Sequence, residues 1–206
     1  MSTTYPQEFW NQRYAEETYA YGTQPNTYFK QQLDAISNPG KLLLLAEGEG
    51  RNAVYAAQQG WEVTAVDFSQ VGREKALALA AQRGVTLNYH HADIQVFEFD
   101  EHGPWDLVGL IYAHFPSEAR ASIHAKCIQA LHPGGRLILE AFNPQQINRL
   151  SGGPKNVELL YGKALLAKDF AAMEILELVE DTVLLEEGEG HLGLGEVVRG
   201  LFKKSR

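Results

Sequence analysis

Residues 42–45 are four consecutive leucines, and the next five residues, AEGEG, break the run with two glycines and two acids. A short run that is apolar on both faces suits a central strand of a parallel sheet, covered by helices on either side. Such a strand needs a crossover, and residues 51–59 (RNAVYAAQQ) read as a helix that stops at Gly60. Residues 61–66 (WEVTAV) form the next strand, and Asp67 follows directly. Strand, glycine turn, helix and strand make a βαβ unit, which commits the chain to an open α/β architecture.

The alternation continues downstream. Residues 70–83 are rich in helix formers, Ser69 is placed to cap them, and Gly84 closes that helix. Strands are expected near 85–90 and at 105–112, a helix at 117–131, and a strand at 136–142 after the turn HPGG. Residues 174–187 and 196–204 read as two long strands with no helix between them, hence a terminal antiparallel hairpin on the sheet edge. The whole predicts a doubly wound, Rossmann-like sheet of seven strands, mostly parallel, in a single domain spanning residues 1–206. Helices at 6–17 and 26–37, separated by YGTQPN, form an N-terminal helical lid over residues 1–38. Residues 143–174 form an insertion with a turn (SGGPK) and a helix near 158–170. It follows a strand's carboxyl end, where ligand sites of such sheets gather, so it is expected on the substrate side.

Charge and cysteine content narrow the partners. The chain of 206 residues has 18 Lys+Arg against 26 Asp+Glu, a net charge of -8, and no basic run. That disfavours a nucleic-acid substrate. Cys127 is the one cysteine, so no internal disulfide can form, and its place in the 117–131 helix suggests burial. The opening MSTTYPQEFW lacks the charged and apolar regions of a signal peptide, and no apolar run approaches a membrane span. The expectation is a cytoplasmic protein without a membrane partner, a monomer or weak homodimer, acting on a small molecule.

Gly48, Gly50 and Ala53 spell G-x-G-x-x-A between a strand and a helix, and Asp67 lies 19 residues after Gly48. Glycines let the backbone approach a ligand, the helix start offers free amides, and a carboxylate after the second strand can accept both hydroxyls of a ribose. An adenosine-containing cofactor follows. A dinucleotide would set its pyrophosphate on the helix start, where Glu47 and Glu49 repel it. S-adenosylmethionine, with its sulfonium and ammonium, tolerates that acidic turn. Asp93, after the third strand in HHADIQ, is placed to take an adenine amino group.

With these residues the chain resembles the class I S-adenosylmethionine-dependent methyltransferases, and more narrowly the small-molecule branch related to tellurite-resistance and thiopurine methyltransferases. The resemblance rests on FWNQRYAEETYAYGTQPN at 9–26, AEGEGRNA at 46–53, VDFS at 66–69, HADI at 91–94, IYAHFP at 111–116 and GGPKNVELLY at 152–161. It implies that Gly48 and Gly50 face the methionine part of the cofactor, with Glu47, Asn52 and Ile111 in the same set. It implies that Asp67 binds the ribose with Phe68 and Ser69 nearby, and that Asp93 and Ile94 cradle the adenine. Trp10, Arg13 and Tyr21 would fold over the cofactor, Arg13 pairing with its carboxylate. Two slots depart from the common motif: Leu44 stands where an acid is usual, and Ala46 where a glycine is.

Other candidates admit two readings each. The aromatic N-terminus is either a helix docked on the sheet or a lid whose rings meet a sulfonium by cation–π attraction. His114 in IYAHFP either orients an acceptor or takes its proton, or it is a hydrogen-bonded histidine at a helix start; Tyr112 carries a similar case. SGGPK with Lys155 is an anion site or a plain turn. His90 and His91 point to opposite faces of a strand, which disfavours a shared metal with Asp93. The expected chemistry is in-line methyl transfer to a small acceptor, a soft nucleophile such as a thiol or chalcogen oxyanion needing no base. A non-catalytic S-adenosylmethionine-binding module and an NAD-dependent oxidoreductase are the alternatives.

Overall fold

The computed structural model describes residues 6–205, so the first five residues of the expected lid lie outside it. Seven strands form one sheet: β1 (Lys41–Leu45), β2 (Glu62–Asp67), β3 (Asn88–His91), β4 (Trp105–Ile111), β5 (Leu131–Phe142), β6 (Met173–Glu187) and β7 (His191–Lys204). Their order is β3-β2-β1-β4-β5-β7-β6. The first five pair in parallel, and β7 lies antiparallel between β5 and β6.

The leucine run explains the layering. Leu43 and Leu45 pack into the core on one face of the sheet, Leu42 and Leu44 into the core on the other. A strand apolar on both faces needs both covered. The helices α1 (Gln7–Tyr14), α2 (Thr27–Asp34), α3 (Arg51–Gln58), α4 (Gln70–Gln82), α5 (Ser117–Ala130) and α6 (Lys163–Asp169) supply that cover. Because β1 neighbours both β2 and β4, the chain winds away in opposite directions from it. A crevice opens there, outside the strands' carboxyl ends.

Several boundaries move from their expected places, each for a local reason. The third strand starts at Asn88, because the Gly84 and Val85 amides fold back onto Ala81 and Ala80 to finish α4. The fifth strand starts at Leu131: HPGG is absorbed into it, with a register skip against Trp105 and Leu107. The seventh starts at His191, so the glycine-rich stretch is mostly strand and the turn is only residues 188–190. Within the insertion the helix is short, Lys163–Asp169, and Val157–Leu159 forms a separate 3-10 turn. The first helix ends at Tyr14 rather than residue 17. Cys127 is fully buried. No helix among the described residues is long and apolar enough to cross a membrane.

Gly50 holds the crossover together. It caps α3 at φ 83°, and a Cβ there would stand 2.5 Å from the Ala76 Cβ of α4. Gly50→Ala should therefore cost roughly 2–4 kcal/mol from left-handed strain and overpacking, read as a drop of about 10 °C in Tm. An unchanged Tm would contradict this packing role.

Candidate functional site

A cavity of about 630 Å³ occupies the crevice. Its walls come from the turns after β1, β2, β3 and β4, from α1, from the 153–159 segment and from the first residue of β7, His191. Residues 46–49 of the 46–50 turn line it, and three buried carboxylates hold that turn. Glu47 Oε1 accepts the Ala53 amide at 2.7 Å and Oε2 the Asn52 side chain at 3.4 Å. It thus closes the amino end of α3 from within, and burial raises its pKa from 4.5 to about 7. Asp67 accepts the Gly48 amide at 3.0 Å and the Ser69 amide at 2.7 Å, and burial raises it from 3.8 to about 6. Glu49 accepts the Ala20 amide at 2.8 Å and meets Lys75 at 2.5 Å. Lys75 in turn donates to the carbonyls of Tyr14, Glu16 and Thr18, tying the N-terminal segment to α4.

Ala46 and Tyr112 end β1 and β4 with φ of 55° and 53°, values that favour glycine. Leu44, in the slot where an acid is usual, is buried in the sheet. The Tyr112 hydroxyl donates to Glu140 Oε1 at 2.9 Å, and its amide to the Glu140 carbonyl at 2.7 Å. Glu140 is a buried acid in an apolar strand, balanced by Arg199 at 2.5 Å and by the Asn26 side chain at 2.7 Å.

Aromatic rings line the other side of the cavity in an unbroken series. Trp10 stacks on Tyr14 at 5.7 Å, Tyr14 meets Tyr21 at 6.5 Å, and Tyr21 meets His191 at 4.5 Å. His191 meets Tyr112 at 4.4 Å, Tyr112 stacks on Phe142 at 4.7 Å, and Phe142 lies parallel to His114 at 5.9 Å. The Arg13 guanidinium lies 5.0 Å from the Phe9 ring, and its Nη1 donates to the Tyr21 hydroxyl at 3.0 Å.

Most of the residues singled out in the sequence converge here. Trp10, Arg13, Tyr21, Glu47, Gly48 and Asn52 line the cavity, as do Asp67, Phe68, Asp93, Ile94, Ile111, Tyr112 and His114. Gly50 and Ser69 do not: Gly50 packs on α4, and Ser69 caps α4 through the Gly72 amide and donates to Asn11. His114 lies on the wall with its Nδ1 2.5 Å from the Leu159 carbonyl, and burial lowers its pKa to about 4. It is therefore a weak proton acceptor at neutral pH. In the insertion, Lys155 donates to its own loop, at the Arg149 carbonyl. The adjoining glycines face rings: a Cβ on Gly152 would meet His191, and one on Gly153 would meet Phe142. His90 packs on Phe97 and His102, while His91 bonds near Phe68, so the two diverge; no metal-binding group is found among the described residues.

Sequence reasoning missed Asn26, Arg51, Glu140, Glu187 and His191. Asn26 bonds Asn52, Glu140 and Glu187 and caps α2. Arg51 stood inside a quoted motif, and the lone acid in RLILEAF was a readable signal for Glu140. Glu187 gave none, being one of several acids in the expected strand 174–187, and His191 gave none because residues 188–195 looked like a loop.

Comparison with known proteins agrees with this geometry. Residues 42–135 match the family described as methyltransferase domain. A ubiquinone biosynthesis O-methyltransferase of Aromatoleum aromaticum is 31% identical over 109 residues, 50% of this chain and 44% of that protein. The chain thus matches less than half the length of this curated relative. TehB from Haemophilus influenzae superposes with a TM-score of 0.73 at 17% identity, covering 97% of this chain and 67% of the other. The N-methyltransferase NodS from Bradyrhizobium japonicum, solved with S-adenosylhomocysteine, gives 0.70 at 13% identity, covering 97% and 98%. The Burkholderia thailandensis 1,6-didemethyltoxoflavin-N1-methyltransferase gives 0.69 at 15% identity, covering 97% and 87%. The shared fold is the Rossmann-like methyltransferase fold.

The raised pKa of Glu47 makes a stability statement. An acid raised from 4.5 to about 7 stabilises the fold fully below its unfolded pKa, and that contribution is lost as pH rises through 7. Glu47→Gln keeps an acceptor for the Ala53 amide but cannot titrate. Stability of the native protein relative to this variant should fall by roughly 2–4 kcal/mol between pH 5 and 8, measured by urea unfolding. A constant difference would contradict the assignment.

Proposed function

We propose that this class I methyltransferase domain binds S-adenosylmethionine and transfers its methyl group to a small-molecule acceptor. The observation that carries the reading is the closure of α3 by Glu47. The Ala53 amide, on which a pyrophosphate would rest, is already occupied by a carboxylate. A site floored by Glu47 and Asp67 and walled by rings suits a cationic ligand instead.

In this reading Asp67 holds the ribose with lone pairs not used by the Gly48 and Ser69 amides. Phe68, Asp93 and Ile94 flank the adenine. Gly48, Asn52, Glu47 and Ile111 surround the methionine part, and Arg13 meets its carboxylate. Residues 1–38 serve as the lid, with Trp10 and Tyr21 closing over the donor; residues 143–174 serve the acceptor side. Bound S-adenosylmethionine supplies an electrophilic methyl group on a sulfonium. The chain's own contribution is positioning and exclusion of water at the ring-lined end, which favours a step that disperses charge. His114, committed to Leu159, positions that wall alongside Tyr112.

The soft-nucleophile acceptor can be narrowed. Of the two arginines lining the cavity, Arg51 is paired with Glu187, and Arg13 is assigned to the donor's carboxylate. Among the described residues a chalcogen oxyanion finds no unclaimed cation on the cavity wall, whereas a thiol or hydroxyl needs none. Kinship with the tellurite-resistance and thiopurine branch remains part of the proposal through the aromatic N-terminus and GGPKNVELLY.

Titration calorimetry with S-adenosylmethionine, S-adenosylhomocysteine and NADH tests the reading. The first two should bind, and Asp67→Ala should weaken both by about 10–100-fold, the loss of a charge-assisted hydrogen-bond pair. Binding of NADH alone would turn the reading toward hydride transfer. Donor binding without S-adenosylhomocysteine formation across an acceptor panel would reduce it to a binding module.

A further inference from the structure

His191 is the first residue of β7 and faces Glu187 across the hairpin turn. The residue is buried, 5% exposed, yet lies on the cavity wall. Nδ1 is 3.0 Å from Glu187 Oε2. The same oxygen accepts from Arg51 Nη2 at 3.0 Å, and Glu187 Oε1 accepts from the Asn26 side chain at 3.0 Å. Glu187 is held low, at about 2, by His191 and Arg51 against the opposing effect of burial, so it stays ionised. An ionised partner fixes the proton of a neutral imidazole on Nδ1 and leaves the lone pair on Nε2. Nε2 has no hydrogen-bond partner among the described residues, and it is not among their sealed, unsatisfied atoms.

The surroundings suit a ring-shaped guest with a proton to lose. Tyr21 and Tyr112 lie 4.5 and 4.4 Å from His191, and Phe142 stands edge-on at 5.1 Å. Gly152, bare of a side chain, lets the Cδ2 edge of the imidazole approach its backbone. The charged and titratable groups facing His191 are Glu187 on β6, Arg51 on α3, Arg13 on α1 and His114 after β4. Burial, Arg51 and Arg13 keep the imidazole neutral until a proton arrives, and Glu187 then stabilises the cation. His114 has no carboxylate behind it.

We infer that His191, oriented by Glu187, is the catalytic base of this site, and that the acceptor is a planar aromatic molecule carrying an ionisable hydroxyl or thiol. This rests on the methyltransferase reading. The acceptor's O–H or S–H proton passes to Nε2. The freed electron pair forms the bond to the methyl carbon, and the carbon–sulfur bond of the sulfonium breaks with its pair going to sulfur. The products are methylated acceptor and S-adenosylhomocysteine, and the imidazolium returns its proton to water.

The test uses 4-nitrophenol, protonated at pH 6, and 4-nitrothiophenol, largely ionised at that pH. The first readout needs no turnover: 4-nitrophenol is added to the complex with S-adenosylhomocysteine, and the phenolate absorption band is followed. The native protein should bind the probe with a larger phenolate fraction than a variant that lacks the base. His191→Asn, which keeps a donor toward Glu187, is that variant. The second readout is methylation with S-adenosylmethionine. His191→Asn should lose about 100-fold in kcat on 4-nitrophenol, the scale of general-base catalysis, and less than about 5-fold on 4-nitrothiophenol. Glu187→Gln should follow the same pattern more weakly.

Equal losses on both probes, a bound probe with the same phenolate fraction in the native protein and in His191→Asn, or no probe binding while S-adenosylhomocysteine binds would each overturn the assignment. Failure to bind S-adenosylhomocysteine at all would instead overturn the methyltransferase reading beneath it.

Discussion

The site depends on how one five-residue turn is held. Residues 46–50 leave the central strand and start α3, and three carboxylates fix them. Glu47 closes the helix start, Asp67 anchors the Gly48 amide, and Glu49 reaches outward to Ala20 and Lys75. Buried acids carry a desolvation cost that must be offset by hydrogen bonds. Here each bond also ties a different segment to the turn, so the cost is linked to the shape of the cavity. The raised pKa values of Glu47 and Asp67 record what burial has left uncompensated. A cationic ligand beside them would complete that compensation.

From the turn the structure spreads in two directions. Lys75 and Glu49 draw the N-terminal segment down, which places Trp10, Tyr14 and Tyr21 along one wall. Arg51, at the start of α3, reaches Glu187 at the end of β6 and so connects the turn to the terminal hairpin. The series of rings running from Trp10 through His191 to His114 follows from these two attachments. Donor and acceptor halves of the proposed site are thereby braced against the same helix.

The part of the cavity around the 46–50 turn was legible because its signals are local. A doubly apolar strand, a glycine turn and an acid at the next strand's end lie within one stretch, and their spacing carries the βαβ geometry. The part around His191 was not legible, because its contacts join positions far apart: Asn26 with Glu187 across 161 residues, and Arg51 with Glu187 across 136. The composition of residues 188–195 hid a strand, since glycine there serves close packing; a Cβ on Gly195 would meet Leu185, and one on Gly190 would meet Tyr21. His114 drew attention as the histidine after a central strand; it lies on the cavity wall, buried, with a carbonyl 2.5 Å from its Nδ1. The buried Glu140 shows what a reader of sequence could have used: an acid inside an apolar strand needs a partner, and Arg199 supplies it.

The central claim is that a buried acidic turn selects a cationic donor. It is tested most directly by the affinity of S-adenosylmethionine relative to S-adenosylhomocysteine, which lacks the sulfonium charge, as a function of pH. If Glu47 titrates near 7 beside the bound sulfonium, the preference for S-adenosylmethionine should rise as pH goes from 5.5 to 8 by about 10-fold, the equivalent of one pKa unit of interaction. Glu47→Gln should abolish the rise. A preference that is flat with pH, in the native protein as in the variant, would contradict the claim.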